Sequence, residues 1–336
     1  MSNLLIIDLE GTQLSDIEQR ILSHPEVGAV ILFTWNFQDK DQLKQLTASI
    51  REIRANIFIA VDQEGGFIQR FQRHGFSPAP AAKVFGEAYD LHPETGIGLA
   101  KHYGKQISEE LLECGVDLNF APILDLHDHN STIIGQLGRA FHATPKVVNA
   151  LGTAFIDGMH EAGMPSVGKH FPGHGRCEAD SHIAYPVNSD SATQLRQRDL
   201  KPFGDLIKSN KLDAVMAAHV LYPAVDSENP AGYSTRWLKA ILRDELGFEG
   251  LVMSDCLSMK GADIGDMPTR AKRAVEAGCD MLILCKETRE ALLTFLNQTT
   301  FKQSPESAQR IETFKRAMRR FKDLNFVVEQ KSLSIK

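Results

Sequence analysis

An alternation constrains this chain more than any single motif. Eight short apolar runs, rich in Val, Ile, Leu, Met, Phe and Ala, are separated by longer stretches with helical patterning. The runs fall at residues 4–11, 27–33, 57–66, 116–126, 165–173, 213–222, 250–255 and 280–285. Near-continuous apolar character over so few residues suits a parallel strand covered on both faces. Between the runs lie segments such as SDIEQRILSH, where Ser15 and Glu18 have capping-box spacing, and KDQLKQLTASIREIRA, GLAKHYGKQISEELLECG, TPKVVNALGTAFIDGMHEAG and STRWLKAILRDELG. Several end in Gly, as helix C-termini tend to. Eight strand–helix alternations with no repeat period and no Pro/Gly/Ser linker predict an α/β fold, a single (β/α)8 TIM barrel over residues 1–336. The helix and tail from about 305 to 336 are expected to pack outside the barrel, with no second domain. A doubly wound open sheet is the competing architecture, but no GxGxxG follows the first run.

Composition narrows the partners. At 336 residues and 43% hydrophobic, the chain can bury a large core. Its formal net charge of -6 argues against a nucleic-acid or anionic-membrane partner, because no basic surplus exists to neutralise phosphates. The most basic run, residues 310–322, suits the solvated face of a terminal helix. MSNLLIIDLEG has no cationic leader, and no stretch approaches the length that spans a bilayer. Five cysteines, odd in number and without a CxxC pair, are expected to be reduced thiols in a cytoplasmic protein.

In such barrels chemistry sits at the C-terminal ends of the strands. The polar residues there are Asp62-Gln63-Glu64, Asp125 with a following loop holding Arg139, Lys169-His170, His219 and Ser254-Asp255. Asp255 is placed to attack an electrophilic carbon, to bind a metal, or to cap the next helix. Asp62 precedes Gly65-Gly66, where backbone can approach a ligand closely, and Arg70 is near enough in the chain to brace it by an ion pair. Strand alternation predicts that one of Lys169 and His170 points to the interior and the other to the rim. His174 lies between Gly173 and Gly175, a pattern read as a hinge. Asp180-Ser181-His182 allows a carboxylate to orient an imidazole whose ordinary pKa suits proton transfer near neutrality, or forms an incidental surface pair. His170, His174 and His182 form neither HxH nor HExxH, and Pro and Gly prevent a helix from aligning them, which disfavours a metal.

VDQEGG followed by QRF, KHFPGHG, the downstream DSH and MSDCLSM together resemble family 3 glycoside hydrolases, and within them the bacterial β-N-acetylglucosaminidases of peptidoglycan recycling. The resemblance spans most of the barrel. It implies a retaining exo-β-N-acetylglucosaminidase that removes terminal GlcNAc from GlcNAc-1,6-anhydroMurNAc-peptides through a covalent glycosyl-enzyme, with no metal or other cofactor and no obligatory protein partner. It implies Asp255 as nucleophile, His182 as general acid/base and Asp180 as its orienting partner. It further implies Asp62, Arg70, Arg139, Lys169 and His170 as residues holding the substrate. Phe67 and Arg176-Cys177-Glu178 depart from the family's usual pattern, while the spacing to Asp180-Ser181-His182 remains compatible.

Overall fold

The computed structural model describes residues 3–177 and 186–318. Ten short strands alternate with helices: β1 (Leu5–Ile7), β2 (Val27–Leu32), β3 (Phe58–Val61), β4 (Gln63–Gly65), β5 (Ile68–Gln69), β6 (Leu118–Asn119), β7 (Val167–Phe171), β8 (Ala214–Ala217), β9 (Leu251–Ser254) and β10 (Leu282–Leu284). Every one of the eight apolar runs contains a strand, and the third run continues into β4. The helices are α1 (Asp16–Leu22), α2 (Lys40–Ile53), α3 (Ala82–Leu91), α4 (Pro93–Glu113), α5 (Pro145–Ala162), α6 (Ala192–Gln197), α7 (Leu200–Lys208), α8 (Met267–Ala277) and α9 (Arg289–Gln298), with a π-helical segment at Arg236–Glu245.

Local chemistry explains where these elements begin. Ser15 and Glu18 close a capping box on α1, and Asp39, Asp266 and Thr288 accept backbone N–H groups at the starts of α2, α8 and α9. Pro93 and Pro145 occupy the first turn of α4 and α5, where their missing N–H costs nothing. On α2 the buried positions Leu43, Leu46, Thr47 and Ile50 follow the spacing of one helical face.

The fold is mixed α/β. Five strands pair in parallel in the order β10-β1-β2-β3-β6, and three more in the order β7-β8-β9. Single parallel bridges join the margins of the two sheets, Ile123 to Lys169 and Met253 to Met281. β4 and β5 form an antiparallel hairpin. Strand alternation divides the core. Leu5 and Ile7 pack among residues of the helices, while Ile6 joins Ile31, Ala60, Phe120, Val167, Met216, Met253 and Ile283 in a second cluster. Ile311, Phe314 and Met318, from the helical residues 305–318, belong to that second cluster, and the Phe314 ring meets Phe58 edge-on at 6.3 Å. Arg310 and Arg243 pair there with the buried Asp280 at 2.9 and 3.0 Å. Phe58 opens β3 and Asp280 precedes β10, so this helix lies at the N-terminal ends of the strands and leaves their C-terminal ends to the site.

Candidate active site

A cavity of about 400 Å³ opens at the C-terminal ends of the strands, within the range of small-molecule sites. Asp62, Arg70, Arg139, Lys169, His170 and Asp255 all line it. Asp180 and His182 lie outside the described residues.

The acidic side of the cavity follows from strand alternation. Asp62 and Glu64 are two residues apart, so their side chains fall on one face, while Gln63 faces the other way. Gln63 is fixed there: its amide nitrogen donates to Phe71 O at 2.9 Å, its amide oxygen accepts from Phe71 N at 3.0 Å, and its backbone N–H donates to Asn119 Oδ1 at 2.9 Å. The Lys169 ammonium bridges the two carboxylates, 2.6 Å from Asp62 Oδ1 and 2.7 Å from Glu64 Oε1. Arg139 grips Glu64 with two bonds, Nε to Oε2 at 2.8 Å and Nη2 to Oε1 at 2.9 Å. Burial favours the neutral form of Glu64, but Arg139 and Lys169 overcome it and hold the carboxyl well below its usual range. Burial likewise works against the charge on Lys169 and Arg139, yet the facing carboxylates keep both raised above their ordinary values. These groups stay charged at neutral pH and are satisfied mainly by one another. They therefore offer fixed hydrogen-bond donors and acceptors to a neutral polyhydroxyl ligand.

The expected brace between Arg70 and Asp62 is long, at 3.9 Å. Arg70 instead lies over the Phe33 ring, 5.5 Å from its centroid, and Phe33 stacks on Trp35 at 4.5 Å. Trp35 is half exposed and anchored by its indole N–H to Leu9 O at 2.8 Å. This aromatic rim was not anticipated from the sequence, because the two rings follow β2 in a short 3-10 turn, Thr34–Asn36, without any charged marker.

Lys169 and His170 do not divide between interior and rim as alternation predicts; both line the cavity. The β7–β8 register shifts between Lys169 and Phe171, which interrupts the alternation at His170, and the Lys169–His170 peptide is cis. Behind His170 sits Asp125, fully buried. It accepts from His170 Nδ1 at 2.7 Å and from the backbone N–H of His170 and His174 at 3.1 and 2.7 Å. Burial raises the Asp125 carboxyl, but His170 and the bonds it accepts hold it below its ordinary value. Its charge fixes the proton on Nδ1 and leaves His170 Nε2 for a ligand. His174 is buried and, with His170 nearby as a second cause, stays neutral down to about pH 4.

The two glycines beside His174 also answer to packing. A Cβ on Gly175 would lie 1.8 Å from Leu126 O, and one on Gly173 would lie 2.7 Å from Asp199 Cβ. Backbone approaches that close leave no room for a side chain.

Asp255 follows β9. Its backbone N–H donates to Ala217 O at 3.0 Å, its Oδ1 accepts from Cys256 N at 2.7 Å, and its carbonyl oxygen accepts from His219 Nε2 at 3.1 Å. His219 is buried, which lowers its pKa, and it is packed against Tyr233. A carboxylate fixed at the wall of a cavity is placed to meet an electrophile bound there. No helix begins at Asp255; a 3-10 turn follows at Lys260–Ala262, and α8 is capped by Asp266. Among the described residues, no group of three His, Cys, Asp or Glu side chains is arranged to hold a metal ion.

The model of the glycosyl hydrolase family 3 N-terminal domain matches residues 2–314. The β-hexosaminidase of Haemophilus influenzae is 46% identical over 299 residues, 88% of this chain and 83% of the relative. The chain belongs to glycosyl hydrolase family 3, among its β-hexosaminidases. The β-hexosaminidase of Pseudomonas aeruginosa PAO1 is 44% identical over 308 residues, 91% of this chain and 90% of the relative. Among solved structures, NagZ from Neisseria gonorrhoeae in complex with N-trifluoroacetyl-D-glucosamine is similar at a TM-score of 0.85 and 38% identity, covering 94% of this chain and 92% of that one.

Proposed function

We propose that this family 3 β-hexosaminidase is a retaining exo-β-N-acetylglucosaminidase that releases terminal GlcNAc from GlcNAc-1,6-anhydroMurNAc-peptides in peptidoglycan recycling. One observation carries the reading: Asp62, Arg70, Arg139, Lys169, His170 and Asp255, drawn from four separate regions of the chain, line one cavity. The sugar-analogue complex of the gonococcal relative supports a GlcNAc-type ligand there.

In the proposed reaction an Asp255 carboxylate oxygen bonds to the anomeric carbon as the glycosidic C–O bond breaks. Protonated His182, oriented by Asp180, gives its proton to the departing oxygen. Neutral His182 then takes a proton from water, whose oxygen displaces Asp255 from the same carbon, so the configuration is retained. Asp62, Arg70, Arg139, Lys169 and His170 hold the sugar hydroxyls and the adjoining substrate, with Arg139 also bonded to Glu64. We also infer that the two sheets form one closed eight-stranded barrel in a single domain, a reading supported by the bridges Ile123–Lys169 and Met253–Met281. Five unbridged cysteines support a cytoplasmic setting.

The test is release of a chromogenic aglycone from an N-acetyl-β-glucosaminide and from the matching β-glucoside, with the anomer of the sugar product followed by NMR. Turnover of the N-acetyl substrate with a β product, unchanged by a chelator, is expected. Turnover of the glucoside alone, or an α product, would overturn the reading.

A further inference from the structure

The loops after β9 and β10 bring together two cysteines that the proposed hydrolysis does not use. Leu257 N donates to Ile283 O at 2.8 Å, and Ile283 N donates to Ser254 Oγ at 3.1 Å, so the two segments run side by side beyond their strands. Cys256 and Cys285 both line the cavity beside Asp255. Cys285 belongs to the inner cluster against which Cys256 packs, and the two thiols act on each other, Cys285 favouring the charged form of Cys256 and Cys256 disfavouring that of Cys285. Cys256 is half-buried, whereas Cys114, Cys177, Cys279 and Cys285 are buried.

We propose that Cys256 and Cys285 are a peroxide-sensitive thiol pair whose disulfide disables the neighbouring Asp255. The neighbouring Cys285 favours the Cys256 thiolate over its burial, while burial pushes the Cys114 thiol up to about 11 and raises Cys177 and Cys279 further. Cys256 is thus the one cysteine that combines access with a favoured thiolate.

The chemistry balances with hydrogen peroxide as oxidant. The Cys256 thiolate sulfur attacks one peroxide oxygen; an S–O bond forms, the O–O bond breaks, and the leaving hydroxide takes a proton to become water. The Cys285 sulfur then attacks the Cys256 sulfur of the sulfenic acid. An S–S bond forms, the S–O bond breaks, and the second oxygen leaves as water with the Cys285 proton. Two thiols give up two electrons and two hydrogens to one peroxide. Closing the two thiols to a disulfide of about 2.05 Å pulls on the Cys256 backbone. That backbone N–H holds Asp255 Oδ1, so the carboxylate turns with it.

The experiment treats reduced full-length protein with graded hydrogen peroxide, removes the oxidant, alkylates free thiols and maps peptides by mass spectrometry. In parallel, the rate is read on whichever glycoside the reduced enzyme cleaves. The expected result is a cross-linked pair of peptides containing Cys256 and Cys285, a loss of two hydrogens, and a rate at least tenfold lower that dithiothreitol restores. Cys256→Ser is expected to form no cross-link and to keep its own untreated rate under peroxide. Cys285→Ser is expected to trap a sulfenic acid on Cys256, detected with dimedone. Free alkylated thiols at both positions in inactivated protein, or a complete cross-link with an unchanged rate, would overturn the proposal. The cross-link is read by mass alone, so its outcome is separate from that of the N-acetylglucosaminide reading.

Discussion

Replacing Glu64 with Gln is the sharpest probe of how the cavity is held together. Glu64 is buried, its carboxylate bonded twice to Arg139 and once to Lys169. The amide keeps the shape but removes the charge that balances two buried cations, leaving them only Asp62. Removing one member of a buried charge network costs about 3–5 kcal/mol. At about 2.1 cal/mol/K per residue, the 336 residues carry an unfolding entropy near 0.7 kcal/mol/K, so the melting temperature should fall by about 4–7 °C. The pH dependence follows from the depressed carboxyl. Glu64 contributes its full stability above the unfolded value near 4.3 and loses it only as pH falls toward its folded value. The gap between Glu64→Gln and the unaltered protein should therefore stay constant from pH 5.5 to 8 in calorimetric melts. With Lys169 and Arg139 released, kcat/KM should drop by about a hundredfold. A variant melting within about 1 °C of the parent, or a gap that closes within that pH range, would refute the account of a charged, mutually satisfied cluster.

Asp255→Asn should lower turnover by at least about a thousandfold with a melting temperature within a few degrees of the parent; comparable activity would remove Asp255 as nucleophile. Asp199 is buried, and its carboxyl oxygens find no hydrogen-bond partner among the described residues; burial pushes it up to about 7. Unfolded chains lose this proton near pH 4 and the fold keeps it, so the parent is penalised increasingly up to about pH 7. Asp199→Asn escapes that penalty. Its stability should rise relative to the parent between pH 4 and 8 by at most about 4 kcal/mol, or about 6 °C in melting temperature, and a pH-independent difference would count against it. Gly175→Ala, with its Cβ driven to 1.8 Å from Leu126 O, should fail to accumulate as folded protein. Gly247→Ala, at φ +71 in open space, should cost only about 1 kcal/mol; equal effects on solubility and melting would show that close approach does not explain Gly175.

The strands were legible because each has two covered faces, and that demand writes itself as an unbroken apolar run. The convergence of Asp62, Lys169 and Asp255 followed from the same logic, since parallel strands deliver their final residues to one end. Glu64 was visible beside Asp62, but its role was not: only the three-dimensional approach of Arg139, 75 residues on, reveals the double grip. Helix α3 escaped notice because Gly86 lies within it, and glycine disfavours helix interiors. That glycine is required, as a Cβ would lie 1.9 Å from Phe141 O. The helical pattern ATQLRQRDLKPFGDLIKSN, residues 192–210, divides into two helices, α6 and α7, because Arg198 leaves helical geometry with ψ of -79. The approach of Cys256 to Cys285 carries no local signal, since the two follow different strands, β9 and β10.

The pairing of β1 with β10 also sets an order of events in the cell. Residue 5 lies in register with residue 282, and Arg289 and the Lys286 backbone N–H both bind Asp8 next to β1. Ribosomes add about 5–20 residues each second, so the first strand waits on the order of 14–55 s for its second neighbour. During that interval β1 offers an unpaired edge to anything nearby. A nascent chain stalled before β10 emerges should therefore engage chaperones and resist release as native protein, while the same chain extended past Arg289 should fold.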